Sequence, residues 1–172
     1  MFISIYLLLR YQNASFNDIG IDIRNLHRYI PLAPIIGAIL AWSEYQIIHP
    51  EPLIPKLGIA DMLVLVIIMF VFVGLVEELV FRSLLQTKLQ QSIGVGSGLL
   101  VASALFGIMH SGYGSVYELL FATVAGLIIG YLYQKTGSLP FVTAIHGTVN
   151  VLLFGLLPPH TIVHRVIVPA AP

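Results

Sequence analysis

The stretch that decides the fold is MLVLVIIMFVFVGLVEELVFR, residues 62–82. It begins with an apolar run, Met62 to Val76, and ends with the charged residues Glu77, Glu78 and Arg82. A charged side chain at the bilayer centre costs about 2.5 kcal/mol or more, so an ionisable residue inside a membrane segment usually has a function. The two glutamates are therefore the first candidates for a functional site.

The composition is that of a polytopic membrane protein. Of 172 residues, 58% are hydrophobic and 9% are charged, with a mean hydropathy of +0.94, whereas soluble domains carry roughly 25% charged residues. Lys and Arg number 8, as do Asp and Glu, so no basic face for nucleic acid is expected. The chain has no cysteine, which excludes disulfides, thiolate nucleophiles and Cys-ligated metals.

Apolar segments and breakers predict an all-α, polytopic transmembrane bundle with about five spans and an N-terminal stub. Asp61 is the expected N-cap of the second span. We divide the chain into residues 1–58 (stub, loop and first span), 59–158 (core of the bundle) and 159–172 (short tail). The expected spans are residues 29–48, 61–81 with a continuation to about 90, 93–110, 116–133 and 138–157.

The basic residues outside the spans predict an orientation. Cytoplasmic loops carry an excess of Lys and Arg. Four basic residues fall on one side of the five-span arrangement and two on the other, so we expect the first side to face the cytoplasm. The first group is Arg24, Arg28, Lys88 and Lys135, and the second is Lys56 and Arg165.

The three charges at the end of the second span are not equivalent. Glu78 and Arg82 are four residues apart, so they lie on one helix face and can pair. Glu77 points about 100° away, given ~3.6 residues per turn, and has no partner at helical spacing. One interpretation is that both glutamates only join neighbouring helices through Arg82; the other is that Glu77 is a free acid with a chemical role.

Polar residues in two other spans favour the second interpretation. His110 ends the third span, while His146 and Asn150 lie one turn apart on the fifth. At ~1.5 Å rise per residue, the depths of these residues and of Glu77 agree to about two helical turns. A carboxylate in a dehydrated pocket can take a proton from water, a histidine can pass it on, and a His–Asn pair can stabilise an oxyanion. The pattern indicates amide hydrolysis by an activated water.

The same residues leave other hypotheses open. Glu77, His110 and His146 are also a possible zinc set with Asn150 in support, since three protein ligands and an open position are usual for catalytic zinc. A proton- or cation-coupled transporter would likewise need buried Glu and His. A non-catalytic scaffold or bacteriocin-immunity protein would keep these residues for packing alone. No role is expected for Glu44 or Glu118.

Three motifs in order resemble those of the CPBP family of intramembrane proteases, which includes the type II CAAX prenyl protease and bacteriocin-processing, Abi-like proteins. They are Glu77-Glu78-x-x-x-Arg82, Phe106-x-x-x-His110 and His146-x-x-x-Asn150, within a likeness that covers about Asp61 to Leu157. The resemblance implies that Glu77 activates the water with help from His110. It also implies that His146 and Asn150 hold the oxyanion, and that Glu78, Arg82 and Phe106 support the site.

The sequence therefore predicts an integral membrane endopeptidase that cleaves membrane-associated or lipidated, CAAX-like substrates. We expect it in the cell membrane, in contact with lipid, with its cavity open to the cytoplasm. A glutamate-type mechanism would require no metal, and zinc is the cofactor of the alternative.

Overall fold

A computed structural model describes residues 19–21, 25–54 and 58–158, and within them the chain is helical without strands. The predictions for residues 1–18 and for the tail 159–172 lie outside the described residues. Five helices are long and apolar enough to cross a membrane, as predicted. They are α1 (Leu26–Ile48), α2 (Ile59–Ile93), α3 (Val95–Tyr113), α4 (Val116–Thr136) and α5 (Leu139–Leu156).

Short connections fix which helix ends lie together. Gly94, with φ +92°, joins α2 to α3, and Gly137, with φ +61°, joins α4 to α5. Both backbones adopt the positive φ that only glycine enters readily. We call this side of the bundle the Gly94 end. The other side, the Gly114 end, carries the α1–α2 connection and the α3–α4 connection at Gly114. Ser115 and Ser138 cap α4 and α5 by accepting backbone N–H bonds.

The 35-residue helix α2 holds both glutamates in a short α-helical turn between two wider segments. The turn is Leu75–Glu78, and the segments Ile68–Gly74 and Leu79–Gln86 are π-helical. π-Helical turns occur frequently at functional sites. The prediction that Asp61 caps this helix is wrong: Gly58 is the N-cap, and Asp61 lies in the first turn, where its charge still favours the helix dipole.

Small residues bring the helices close together. A side chain at Gly107 of α3 would collide with Thr123 of α4, and one at Gly147 of α5 would lie 2.6 Å from the Phe70 ring of α2. A Cβ on Gly74 of α2 would lie 3.2 Å from the backbone nitrogen of Gly147. Packing of this kind drives the association of membrane helices. It places Glu77 and Glu78 of α2 beside the polar residues of α5.

The half of the bundle nearer the Gly94 end is joined by polar contacts between helices. Ser83 of α2 donates to the carbonyl of Ile19 at 2.7 Å, and Gln86 donates to the carbonyl of Gly130 in α4 at 3.0 Å. Gln90 and Gln134 are also bonded, at 3.0 Å. The two glutamine bonds fix α2 against α4, and the Ser83 bond fixes α2 against the segment that precedes α1.

Candidate active site

Glu78 is the fixed centre of the polar cluster. Its carboxylate accepts a 2.9 Å bond from Arg82 Nε and a 2.7 Å bond from His146 Nδ1, and Glu78 and Arg82 are both completely buried. The predicted Glu78–Arg82 pair therefore forms. The bond to His146 escaped the sequence analysis because the partner is 68 residues away and on another helix. Two charge-assisted bonds hold the carboxylate and orient the imidazole.

Glu77 has a different environment from its neighbour. Its side chain is 24% exposed, and its Oε2 atom lies 3.8 Å from His146 Nε2, too far for a hydrogen bond. Within the described residues this oxygen has no hydrogen-bond partner. Glu77 is thus a carboxyl with free acceptor capacity, as the spacing predicted.

His110 begins the 3₁₀ turn, residues His110–Tyr113, with which α3 ends. Its Nδ1 is 2.9 Å from the Phe106 carbonyl oxygen. A carbonyl can only accept, so the bond assigns the proton to Nδ1. In the neutral ring Nε2 is then the atom with a free lone pair, which is the form a proton acceptor needs.

Phe106 links the charged groups to the histidines. The Arg82 guanidinium carbon lies 5.0 Å from the ring centroid of Phe106, within the range of a cation–π contact. The rings of His110 and His146 lie 4.7 and 5.9 Å from the same ring, centroid to centroid. The Phe106 ring therefore contacts Arg82 and both imidazoles.

One cavity of about 520 Å³ is lined by all four predicted catalytic residues, Glu77, His110, His146 and Asn150. They come from α2, α3 and α5, so the packing of three helices brings them together. His146 and Asn150 are 6% and 8% exposed, so both side chains are almost fully enclosed. The cavity combines an unpaired acid, two imidazoles and an amide.

The cavity lies toward the Gly114 end of the bundle. Its lining includes Leu53 of the α1–α2 connection together with Gly112 and Tyr113 at the end of α3. Lys88 and Lys135 are near the opposite, Gly94 end. If the lysine side faces the cytoplasm, the cavity lies toward the opposite side of the membrane. The predicted orientation and the predicted cytoplasmic opening therefore cannot both be right.

Two acids for which no role was predicted also belong to this region. Glu44 of α1 lines the cavity, and its carboxyl contacts that of Glu118 of α4. They are 9% and 0% exposed. An acidic residue inside an otherwise apolar span was the signal that could have identified both.

The zinc hypothesis concerns the same side chains. In the part of the chain that the structure describes, no three His, Asp or Glu residues are grouped so that they could hold a metal ion. Nδ1 of both histidines is already bonded, to the Phe106 carbonyl and to Glu78. Glu77, His110 and His146 line the same cavity, and Nε2 is the nitrogen that each imidazole has left for a ligand.

Comparisons with known proteins agree with the motifs. A family model described as type II CAAX prenyl endopeptidase Rce1-like matches residues 59–152, more than half of the 172-residue chain. Searches of curated proteins and of solved structures gave no match. The matched segment runs from the start of α2 into the last helix and contains all seven residues singled out from the motifs. The chain belongs to the type II CAAX prenyl endopeptidase Rce1-like family.

Proposed function

We propose that this chain hydrolyses peptide bonds of membrane-associated, CAAX-like substrates with a water molecule activated by Glu77 and His110. At the family level the match supports an intramembrane endopeptidase of the CAAX type. The observation that carries the proposal is the single cavity lined by Glu77, His110, His146 and Asn150. Burial in a membrane bundle keeps bulk water away and strengthens the electrostatic interactions within the cavity.

The first step is attack of water on the scissile carbonyl carbon. The free oxygen of Glu77 accepts one proton of the water, and Nε2 of His110 is the second acceptor within the same cavity. The new C–O bond forms as the carbonyl π electrons move to oxygen. The proton held by Glu77 or His110 then passes to the leaving nitrogen as the C–N bond breaks, so that no external reactant besides water is needed.

The oxyanion formed in that step is stabilised by His146 and Asn150. Nδ1 of His146 donates to Glu78, so a donor at Nε2 requires the imidazolium form of the ring. Its positive charge would lie between Glu78 and Glu77, which is 3.8 Å from Nε2. Asn150 supplies its side-chain N–H from the next turn of α5. Fixed donors aimed at the developing charge are a large contribution in acyl transfer.

The decisive experiment compares purified wild-type protein with the Glu77→Gln variant in nanodiscs, using quenched farnesylated CAAX peptides. Loss of a general base lowers kcat by roughly 10²–10⁴-fold, and we expect that loss without a change in melting temperature. Glu51→Gln, a change at an exposed acid in the α1–α2 connection, is the control and should cleave normally. Full activity of Glu77→Gln would contradict the mechanism, and inhibition by 1,10-phenanthroline that zinc reverses would favour the metal alternative.

We further propose that the Gly114 end, and with it the cavity, faces the cytoplasm, because CAAX-like substrates reside at the cytoplasmic membrane face. The basic residues favour the reverse orientation, but by a small margin. The native chain has no cysteine, so Gly112→Cys and Lys135→Cys each introduce a single label site. In intact cells we expect an impermeant maleimide to label Lys135→Cys alone; labelling of Gly112→Cys alone would reverse the assignment.

A further inference from the structure

Tyr113 lines the 520 Å³ cavity but belongs to none of the three motifs. It comes three residues after His110, at the end of the 3₁₀ turn His110–Tyr113. Its side chain is 48% exposed, and its ring stacks on the imidazole of His110, with 6.3 Å between the ring centroids and 12° between the ring planes. The proposed mechanism uses His110 and leaves Tyr113 without a role.

The 3₁₀ turn is what brings the two rings together. It has about 3.0 residues per turn, so side chains at positions i and i+3 lie one above the other. An α-helix, with ~3.6 residues per turn, would rotate the same two side chains about 60° apart. Gly114 ends the turn with φ +68°, and its N–H donates to the Ser111 carbonyl at 3.0 Å. The order His-Ser-Gly-Tyr-Gly, residues 110–114, therefore stacks a tyrosine on the histidine.

The stack adds a restraint that the hydrogen bond of His110 does not supply. Nδ1 of His110 is bonded to the Phe106 carbonyl at 2.9 Å, and the Phe106 ring is tilted by 45° from the imidazole. One bond fixes one ring nitrogen but still lets the ring plane tilt about it. A second ring that is nearly parallel at 6.3 Å, within the distance of offset-stacked pairs, restricts this tilt. The direction of Nε2, the nitrogen left free for the water, then depends on both aromatic rings.

Exposure alone assigns no role to Tyr113, because tyrosines are also common as anchors at membrane interfaces. Tyr117 offers a comparison, since it lies in the first turn of α4 and is 71% exposed. It is not part of the cavity lining. Tyr113 does line the cavity, and its ring stacks on a residue that takes part in the proposed proton transfer. Anchoring at the interface accounts for neither observation.

We propose that Tyr113 is a positioning residue that acts through His110. Its ring holds the imidazole in the orientation in which Nε2 accepts a proton from the attacking water. This inference rests on the proposed function, in which His110 is the second proton acceptor. The stack joins the two rings, so the aromatic ring is required and the hydroxyl is not. A misplacement of about 1 Å can cost about 100-fold in rate.

The test compares variants with wild-type protein in nanodiscs, using the quenched farnesylated peptides. Tyr113→Ala should lower kcat by about 10- to 100-fold with little change in KM, whereas Tyr113→Phe keeps the ring and should retain most of the activity. Tyr117→Ala, the matched change at an interfacial tyrosine, should leave kcat as in wild type. In the His110→Ala background, Tyr113→Ala should cause no further loss, because no imidazole is left to orient.

Positioning is also measurable without catalysis, from the ¹⁵N spectrum of histidine-labelled protein at a pH where the imidazole is neutral. The signals of His110 are assigned by their loss in His110→Ala. We expect one tautomer, with the proton on Nδ1, in wild type and in Tyr113→Phe. Tyr113→Ala should show an average of both tautomers, because a ring that tilts freely loses its bond to the Phe106 carbonyl for part of the time.

The outcomes separate this inference from the proposed function. Full activity of Tyr113→Ala, an equal loss in Tyr117→Ala, or a further loss in the His110→Ala background would overturn it while Glu77-dependent cleavage stands. A lower melting temperature of Tyr113→Ala with an unchanged His110 tautomer would also overturn it, and would assign the tyrosine to anchoring. If wild-type protein cleaves no peptide, the proposed function fails, and the tautomer measurement then decides the positioning of His110 by itself.

Discussion

The two halves of the bundle satisfy their polar groups in different ways. Toward the Gly94 end, Ser83, Gln86 and Gln90 each bond to a partner elsewhere in the chain. Toward the Gly114 end, an oxygen of Glu77 has no hydrogen-bond partner among the described residues, and Glu77 lines a 520 Å³ cavity. The first half joins the helices through these bonds, although within the described structure the side-chain oxygen of Gln86 is left without a partner there, and the second half places a free carboxylate oxygen in a cavity. Substitutions in the first half should change stability, and those in the second should change activity.

The largest effect is expected at Arg82, where the two halves meet. Arg82→Met would leave Glu78 buried with His146 as its remaining partner. Removal of one member of a buried ion pair costs about 3–5 kcal/mol, so we expect a large fall in the unfolding midpoint and loss of activity. The unfolding midpoint is measured by denaturant titration followed by circular dichroism. Lys88→Met, at an exposed position on the same helix, is the control, and equal stability of the two variants would contradict the role of the pair.

Asn150→Ala should have a slightly smaller effect, and on activity alone. Loss of one oxyanion donor costs about 10²–10³-fold in kcat, or about 2.7–4 kcal/mol, whereas Asn150 makes no bond that holds the bundle together in the described structure. Thr148→Ala, on the same helix, removes a hydroxyl bonded only to the Ala144 carbonyl and should retain activity. A similar loss of activity in both variants, or a lower melting temperature for Asn150→Ala, would contradict the expectation that Asn150 acts in catalysis and not in helix packing.

Gly147→Ala tests the contact that sets the position of α5 against α2. The added carbon would lie 2.6 Å from the Phe70 ring, and overpacking of this kind typically costs about 1–3 kcal/mol. Since His146 is the adjacent residue, we expect a smaller fall in kcat as well. Gly96→Ala, where no atom lies within 4 Å of the added carbon, should be neutral or stabilising. Equal melting temperatures for the two variants would show that the interface tolerates expansion.

Much of this arrangement follows from the sequence because it depends on short-range rules. The five spans follow from hydropathy and breakers, and the Glu78–Arg82 pair follows from helical spacing, since four residues make about one turn. The same reasoning predicted that Glu77 has no partner on its own helix. The short distance from Glu77 to His146 was not predicted, because the distance between two helices depends on how they pack and not on the number of residues per turn in either helix.

The features missed are those that depend on packing between distant segments. Glu44 and Glu118 are 74 residues apart on helices with no shared motif, so their contact could not be derived from spacing. The cap of α2 was misassigned because Asp61 is a good capping residue, but the helix begins two residues earlier, after Gly58. The π-helical segments around Leu75–Glu78 were not predicted, because neither contains a proline or another sequence pattern that marks a wider helical turn.

The length of α2 has a consequence for the surrounding bilayer. Its 35 residues correspond to about 52 Å of ideal helix, against about 30 Å of hydrocarbon, while the other four spans have 18 to 23 residues. Such a helix must lie obliquely or extend past the acyl chains, so the protein offers lipids an uneven hydrophobic thickness around its perimeter. Nearby lipids would have to stretch or compress to match it. Acyl-chain length is therefore expected to influence where in a cell's membranes the protein accumulates.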